Sequence, residues 1–228
     1  MAMHIYRWRH LALLISILLL LFTVSPLAVT LRHGILILNI IAATVLVAGS
    51  YALSERKHIF VIAIILSVIS IIGTVLLLVF ARRWAVLVSH SCIVVLVAFF
   101  SVTILGYVLR SGRVTADKIF AAICVYLLIG YGWTFTYALL DELLPGSFTT
   151  VTEIGRNDYI ARVMQLRYFS FMTLTTVGYG DVVPRLSVAR TMAVLEAVMG
   201  QIYLTVLVAR LVGLHIVHAT GLRSSDND

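Results

Sequence analysis

Residues 173–184 read TLTTVGYGDVVP, and their setting is what makes them decisive. The string interrupts a chain that is otherwise apolar: 228 residues, 61% hydrophobic and only 12% charged. Mean hydropathy is +1.07. A soluble domain carries about 25% charged residues, so most of this surface is solvated by lipid. Bilayer hydrocarbon offers no partner to a free N–H or C=O, and non-helical backbone survives at membrane depth only inside protein or along a water-filled path. A glycine-rich segment in such a chain therefore points to a permeation pathway.

On either side of it lie apolar runs long enough to cross a bilayer, which takes about 20 residues. They are Leu11–Leu31, Gly34–Ser54, Ile59–Ala81, Trp84–Leu109 and Ile119–Leu140. Ser187–Leu214 is a further one, interrupted by Arg190, Glu196 and Arg210. The expected fold is an all-α integral membrane protein with six transmembrane helices; a closed barrel would show short alternating segments instead. The first run follows Arg-Trp-Arg-His like a secretory leader, but it is long and no A-x-A site follows Pro26, so it reads as a retained helix.

The joints are short: Arg32-His33, Glu55–His58 and Arg82-Arg83. They make residues 1–109 an antiparallel four-helix bundle. Residues 110–118 form a linker in which Thr115 is a plausible N-cap for the fifth span. Residues 119–214 then form a second unit, and 215–228 a short tail with no room for a soluble ligand domain. Pro145-Gly146 marks a turn. From Asn157 or Asp158 as cap, DYIARVMQLRYFSFMTLT reads as a helix too short and too polar to span, so the chain forms a re-entrant pore helix followed by an extended loop.

With an even number of spans both termini share a side. That side holds Arg7, Arg9, Arg56, Lys57, Arg110, Arg113, Lys118, Arg210 and Arg223, against Arg32, Arg82 and Arg83 in the opposite short loops. Arg156, Arg162, Arg167, Arg185 and Arg190 bring the whole-chain tally near balance. The short loops decide for cytoplasmic termini in a cell membrane. The net charge of +7 belongs to residues at membrane ends, which suits lipid headgroups as partners rather than nucleic acid.

Within the loop, Gly178 and Gly180 can adopt backbone angles closed to other residues. Alternating with Val177 and Tyr179, they allow successive carbonyls to face one side, which suits a dehydrated monovalent cation. A phosphate loop would present amides and a lysine. At this point Thr175-Thr176-Val177-Gly178-Tyr179-Gly180-Asp181 resembles the selectivity-filter signature of the tetrameric potassium channels. The close resemblance covers roughly Thr115–Gly213 and is to the six-helix, single-pore type. It implies a homotetramer in which each chain meets three identical subunits, with K⁺ as permeant ion and no cofactor. The carbonyls of Thr176, Val177, Gly178 and Tyr179 and the Thr176 hydroxyl would hold the ion, with Gly180 completing the strand.

Filter support would come from Thr175, from Asp181 paired with Tyr168, where many relatives use a pore-helix Trp, and from Glu196. Met172 stands where some relatives carry a carboxylate brace. Glu196 lies inside the last span and is expected to brace the pore helix through Thr173 or a tyrosine hydroxyl. Gly200 stands at the gating-hinge position, with close packing as the alternative reading. Gln201, Leu204 and Val208 make one cavity face, and Val208 and Val212 an inner constriction. The fourth span holds no arginine between Arg83 and Arg110, so voltage dependence is expected to be weak. His4, His10, His215 and His218 read as interfacial polar residues, and Cys92 and Cys124 as buried apolar ones. Two other readings stand beside a K⁺ channel: a pore subunit of a K⁺ transport system, whose chains carry four pore repeats where this has one, and a non-conducting membrane scaffold. No nucleophile or metal-ligand motif suggests an enzyme.

Overall fold

A computed structural model describes residues 9–30, 45, 47–51, 57–80, 82–110, 115–150 and 159–225. Its elements, in chain order, are α1 (Arg9–Thr30), α2 (Lys57–Phe80), α3 (Arg83–Val108), α4 (Ala116–Leu143), β1 (Phe148–Thr150), α5 (Tyr159–Leu174), β2 (Val182–Pro184) and α6 (Ser187–Ser225). Most of the Gly34–Ser54 run, the Arg32-His33 joint, Glu55-Arg56, linker residues 111–114 and the Asn157/Asp158 cap lie outside the described residues. Among the described residues, four helices are long and apolar enough to cross a membrane: Lys57–Leu77, Arg83–Val108, Ala116–Leu143 and Ser187–Arg210. His10–Phe22 of α1 adds a shorter apolar helix.

α2 shows why the chain tolerates so little polarity. Val61, Ile62, Ile65, Ile72 and Val75 are exposed around it, a surface only lipid can solvate. Its buried stripe is small: Ala63, Ser67, Ser70 and Gly73. A methyl on Gly73 would lie 3.2 Å from the Ser89 Cα of α3, so the small residues set the helix separation.

α3 turns Leu96, Phe100, Ile104 and Val108 onto Ala121, Ala122, Val125 and Leu128 of α4. α1 adds Leu13 and Ile17 to the same cluster. α1 and α3 thus pack against α4, and α2 against α3, a point on which the sequence is silent. Thr115 caps α4, its hydroxyl accepting from the Lys118 amide at 3.3 Å. His10 departs from the interfacial expectation. It is 1% exposed, with Nδ1 2.6 Å from Asp117 Oδ2 and its ring stacked on Tyr107 at 4.8 Å. A polar ring can enter this apolar interface only with such partners.

The all-α expectation fits the structure, with one small addition. β1 and β2 form an antiparallel ribbon with Phe148 opposite Pro184 and Thr150 opposite Val182, extended by the Arg185 amide donating to Ser147 O at 2.7 Å. Chain leaving the pore loop must pair its backbone somewhere, and the segment after the Gly146 turn provides the partner. Phe148 then packs edge-on against Tyr137 and Phe169 at 5.3 and 5.2 Å, fixing the ribbon to α4 and α5. α6 continues as helix through residues 215–225, where the sequence suggests only a tail.

Candidate functional site, a glycine-rich loop after α5

α5 lies between α4 and α6, and the loop it feeds is built from its last turn. The Thr175 amide donates to Phe171 O at 3.0 Å and the Thr176 amide to Thr173 O at 3.0 Å. Val177 and Gly178 both donate to the Met172 carbonyl, at 2.9 and 3.2 Å. Met172 thus supports the loop through its backbone. These bonds consume the loop's first amides and turn them toward the helix that precedes them. In a trans peptide the carbonyl points away from its amide, so the oxygens of Thr176 and Val177 turn away from Met172, whereas Leu174 O accepts from Tyr126 and Thr175 O from the Thr176 hydroxyl.

The dihedral angles continue that arrangement. φ is +58° at Thr176, +54° at Gly178 and +78° at Gly180, and it is negative at Val177 and Tyr179 between them. In an ordinary strand, successive carbonyls alternate sides. When left- and right-handed residues alternate, successive peptide planes keep one orientation and the carbonyls form a row. Methyl groups on Gly178 or Gly180 would meet nothing within 4 Å, so φ alone requires glycine there. Thr176 has a β-branched side chain at positive φ, a conformation that costs on the order of 1–3 kcal/mol and persists only where the surroundings impose it. Its Oγ1 donates to Thr175 O at 2.7 Å, which leaves lone pairs on the hydroxyl oxygen. Such a row suits a hard cation and repels an anion.

Around the row the structure brings several residues together. Tyr168 faces Asp181. Partial burial first, then the hydrogen bond and the carboxylate's charge, hold the Tyr168 hydroxyl protonated above the usual tyrosine range. Asp181 Oδ1 also accepts from the Val182 amide at 3.1 Å. Glu196 is 0% exposed and reaches α5, but its partner there is Ser170, not Thr173: Oε1 lies 2.5 Å from Ser170 Oγ. The tyrosine is Tyr137 of α4, whose hydroxyl donates to Oε2 at 2.6 Å. Thr173 lies at the C-terminal end of α5, one turn past Ser170, and Ser170 is the residue level with the carboxyl.

At Gly200 the geometry bears on the packing alternative. α6 passes through it without a break, and a methyl there would lie 2.6 Å from Leu174 O. The close approach accounts for the glycine. Tyr126 holds the same carbonyl from α4, donating at 3.2 Å. The next residue of α6, Gln201, has Nε2 3.5 Å from Thr176 Oγ1, so this member of the expected cavity face reaches the loop. Val208 is 57% exposed farther along α6. The side chains of Val212, His215 and His218 lie outside the described residues, as does His4.

Sequence reasoning missed three tethers of α5. Tyr159, at its start, hydrogen-bonds His90 of α3 at 2.8 Å. Burial, then the nearby Glu142, raises the Tyr159 hydroxyl beyond the usual tyrosine range. Arg162 pairs with Asp141 of α4. Arg167 is only 7% exposed and extends Nη1 to 3.5 Å from Leu20 O of α1. Among the described residues no cluster of His, Cys, Asp or Glu is arranged to hold a metal ion.

Residues 146–214, from the Gly146 turn through the loop and most of α6, match the family model described as Ion channel. No curated protein and no solved structure matches the chain. The match supports an ion-channel function in transport and a membrane location.

Proposed function

We propose that this chain, with its ion-channel segment at residues 146–214, is the subunit of a K⁺-selective homotetrameric channel. The observation that carries this reading is the alternation of φ sign along the loop, positive at Thr176, Gly178 and Gly180, with the Val177 and Gly178 amides tied back to Met172. It supports a strand whose oxygens at Thr176, Val177, Gly178 and Tyr179 face one side. Four such strands around an axis would replace the hydration shell of K⁺, with the Thr176 hydroxyl at the inner end.

The exposure of a single chain supports assembly. Tyr179 is 73% exposed, and Val194, Val198 and Ile202 of α6 are 64%, 48% and 59% exposed. A row of carbonyls open on one side completes no ion site until partners close it. In the assembled channel the C-terminal end of α5 carries its negative dipole toward the cavity and favours a cation there.

In this reading the chain crosses the membrane six times, with both termini in the cytoplasm and residues 1–109 as a bundle without gating arginines. Tyr168, Asp181, Thr175 and Glu196 support the filter, Gly200 seats the inner helix, and Val208 with Val212 narrows the inner mouth. The test is flux from vesicles containing only this protein: uptake of K⁺ with exclusion of Na⁺ supports a selective pore, and absence of flux supports a scaffold.

A further inference from the structure

The contacts of Glu196 allow its protons to be counted. Ser170 Oγ lies 2.5 Å from Glu196 Oε1 and 2.8 Å from the Gly130 carbonyl oxygen of α4. A serine hydroxyl has one proton, and a carbonyl oxygen only accepts. Tyr137 supplies its own proton to Oε2 on the far side of the carboxyl. Were Glu196 ionised, Ser170 would donate to Oε1 and face Gly130 O lone pair to lone pair at 2.8 Å. A proton on Oε1 removes the conflict. Glu196 then donates to Ser170, Ser170 donates to Gly130, and Tyr137 donates to Oε2, so every short contact contains one hydrogen.

The surroundings favour the neutral form as well. Glu196, Ser170 and Tyr137 are each 0% exposed, so water cannot solvate a charge. Among the described residues no arginine, lysine or histidine is ion-paired with it. The ionisable groups facing it are Tyr137 and, farther off, Tyr126, both from α4. Tyr126 is already committed to Leu174 O.

We propose that Glu196 holds its proton at neutral pH and is a neutral positioning residue, tying α6 to α5 and α4 through Ser170, Gly130 and Tyr137 behind the filter. The consequence for permeation rests on the channel reading above; the location of the proton does not. The network lies one helical turn before Gly200, where α6 meets the end of α5. Loss of the proton would put an unpaired anion and an acceptor–acceptor contact into that junction and loosen the filter's support.

The test uses the full chain in vesicles of neutral phospholipid. Infrared spectra at neutral pH should show a deuterium-sensitive carboxylic-acid carbonyl band that is lost in Glu196→Gln. Tyr137→Phe should shift that band, because Oε2 loses its donor, and so provides the assignment if the glutamine variant does not fold. Raising the pH should remove the band and the preference for K⁺ over Na⁺ together, and Glu196→Gln should abolish that alkaline loss of preference. Absence of the band at neutral pH would overturn the proton assignment, whatever the flux. A band whose titration leaves selectivity unmoved would overturn the positioning role. A band present in vesicles that pass no K⁺ would support the proton assignment and sink the channel reading.

Discussion

A methyl group on Gly200 would lie 2.6 Å from the carbonyl oxygen of Leu174, so α6 touches the end of α5 through bare backbone. This relationship separates two uses of a helical glycine. A hinge glycine replaced by alanine should stabilise the helix by about 1 kcal/mol. A contact glycine replaced by alanine overpacks the junction, at a cost of about 1–3 kcal/mol. Gly200→Ala is therefore expected to lower the unfolding midpoint of the purified protein and to reduce K⁺ flux. A raised midpoint would return the hinge.

Gly178 has open space around its Cα and φ of +54°. Alanine there meets no neighbour, yet the left-handed backbone costs it roughly 1–2 kcal/mol. Relaxing to negative φ would break the alternation and turn one carbonyl out of the row. Gly178→Ala is expected to leave expression and folding nearly intact while K⁺ flux falls at least tenfold, an order-of-magnitude expectation for losing one ring of ligands. Flux at the wild-type level would show that the row is not the ion path.

Tyr168 and Asp181 join the pore helix to the outer end of the loop. Partial burial and the Asp181 carboxylate raise the pKa of the Tyr168 hydroxyl. For an acid whose folded pKa is raised, the contribution is present while the proton is held and is lost as pH rises through that value. The brace should therefore hold throughout neutral pH and fail only above the usual tyrosine range of about 10. Single-channel recording should show shorter open periods in Tyr168→Phe at neutral pH, and wild type approaching that behaviour only at strongly alkaline pH. Identical open periods in the two proteins would remove the brace.

α3, the fourth of the expected spans, bears on the expected voltage response. Between Arg83 and Arg110 it carries no charge, and each charge moved through the field would contribute about 2.3 kcal/mol per 100 mV. Conductance is expected to vary little between −100 and +100 mV, an interval of about that scale on either side of zero. A steep sigmoidal curve in planar bilayers would contradict this.

The conformation of the glycine-rich loop was legible because it lies in the backbone, and backbone geometry is dictated by contiguous residues. Gly178 and Gly180 announce left-handed positions, and the apolar runs around them announce the membrane. Thr115 was equally legible, since a cap acts over three residues. The rest depended on distant partners. Glu196 meets Ser170 across 26 residues and Tyr137 across 59, and His10 meets Asp117 across 107. A lone polar residue in an apolar run signals that a partner exists, without naming it. Arg167 entered only the tally of basic residues, although its neighbours bury it. The β1–β2 ribbon is only three residues long on each side, too short for any alternating pattern to mark.

The most direct measurement is cation flux through the purified chain in vesicles loaded with K⁺, with Na⁺ as the replacement ion and Gly178→Ala as the control. The expected result is K⁺ flux that collapses when Na⁺ replaces K⁺ and that the substitution abolishes. Equal passage of K⁺ and Na⁺, or no passage of either by the folded wild-type protein, would contradict a K⁺-selective pore.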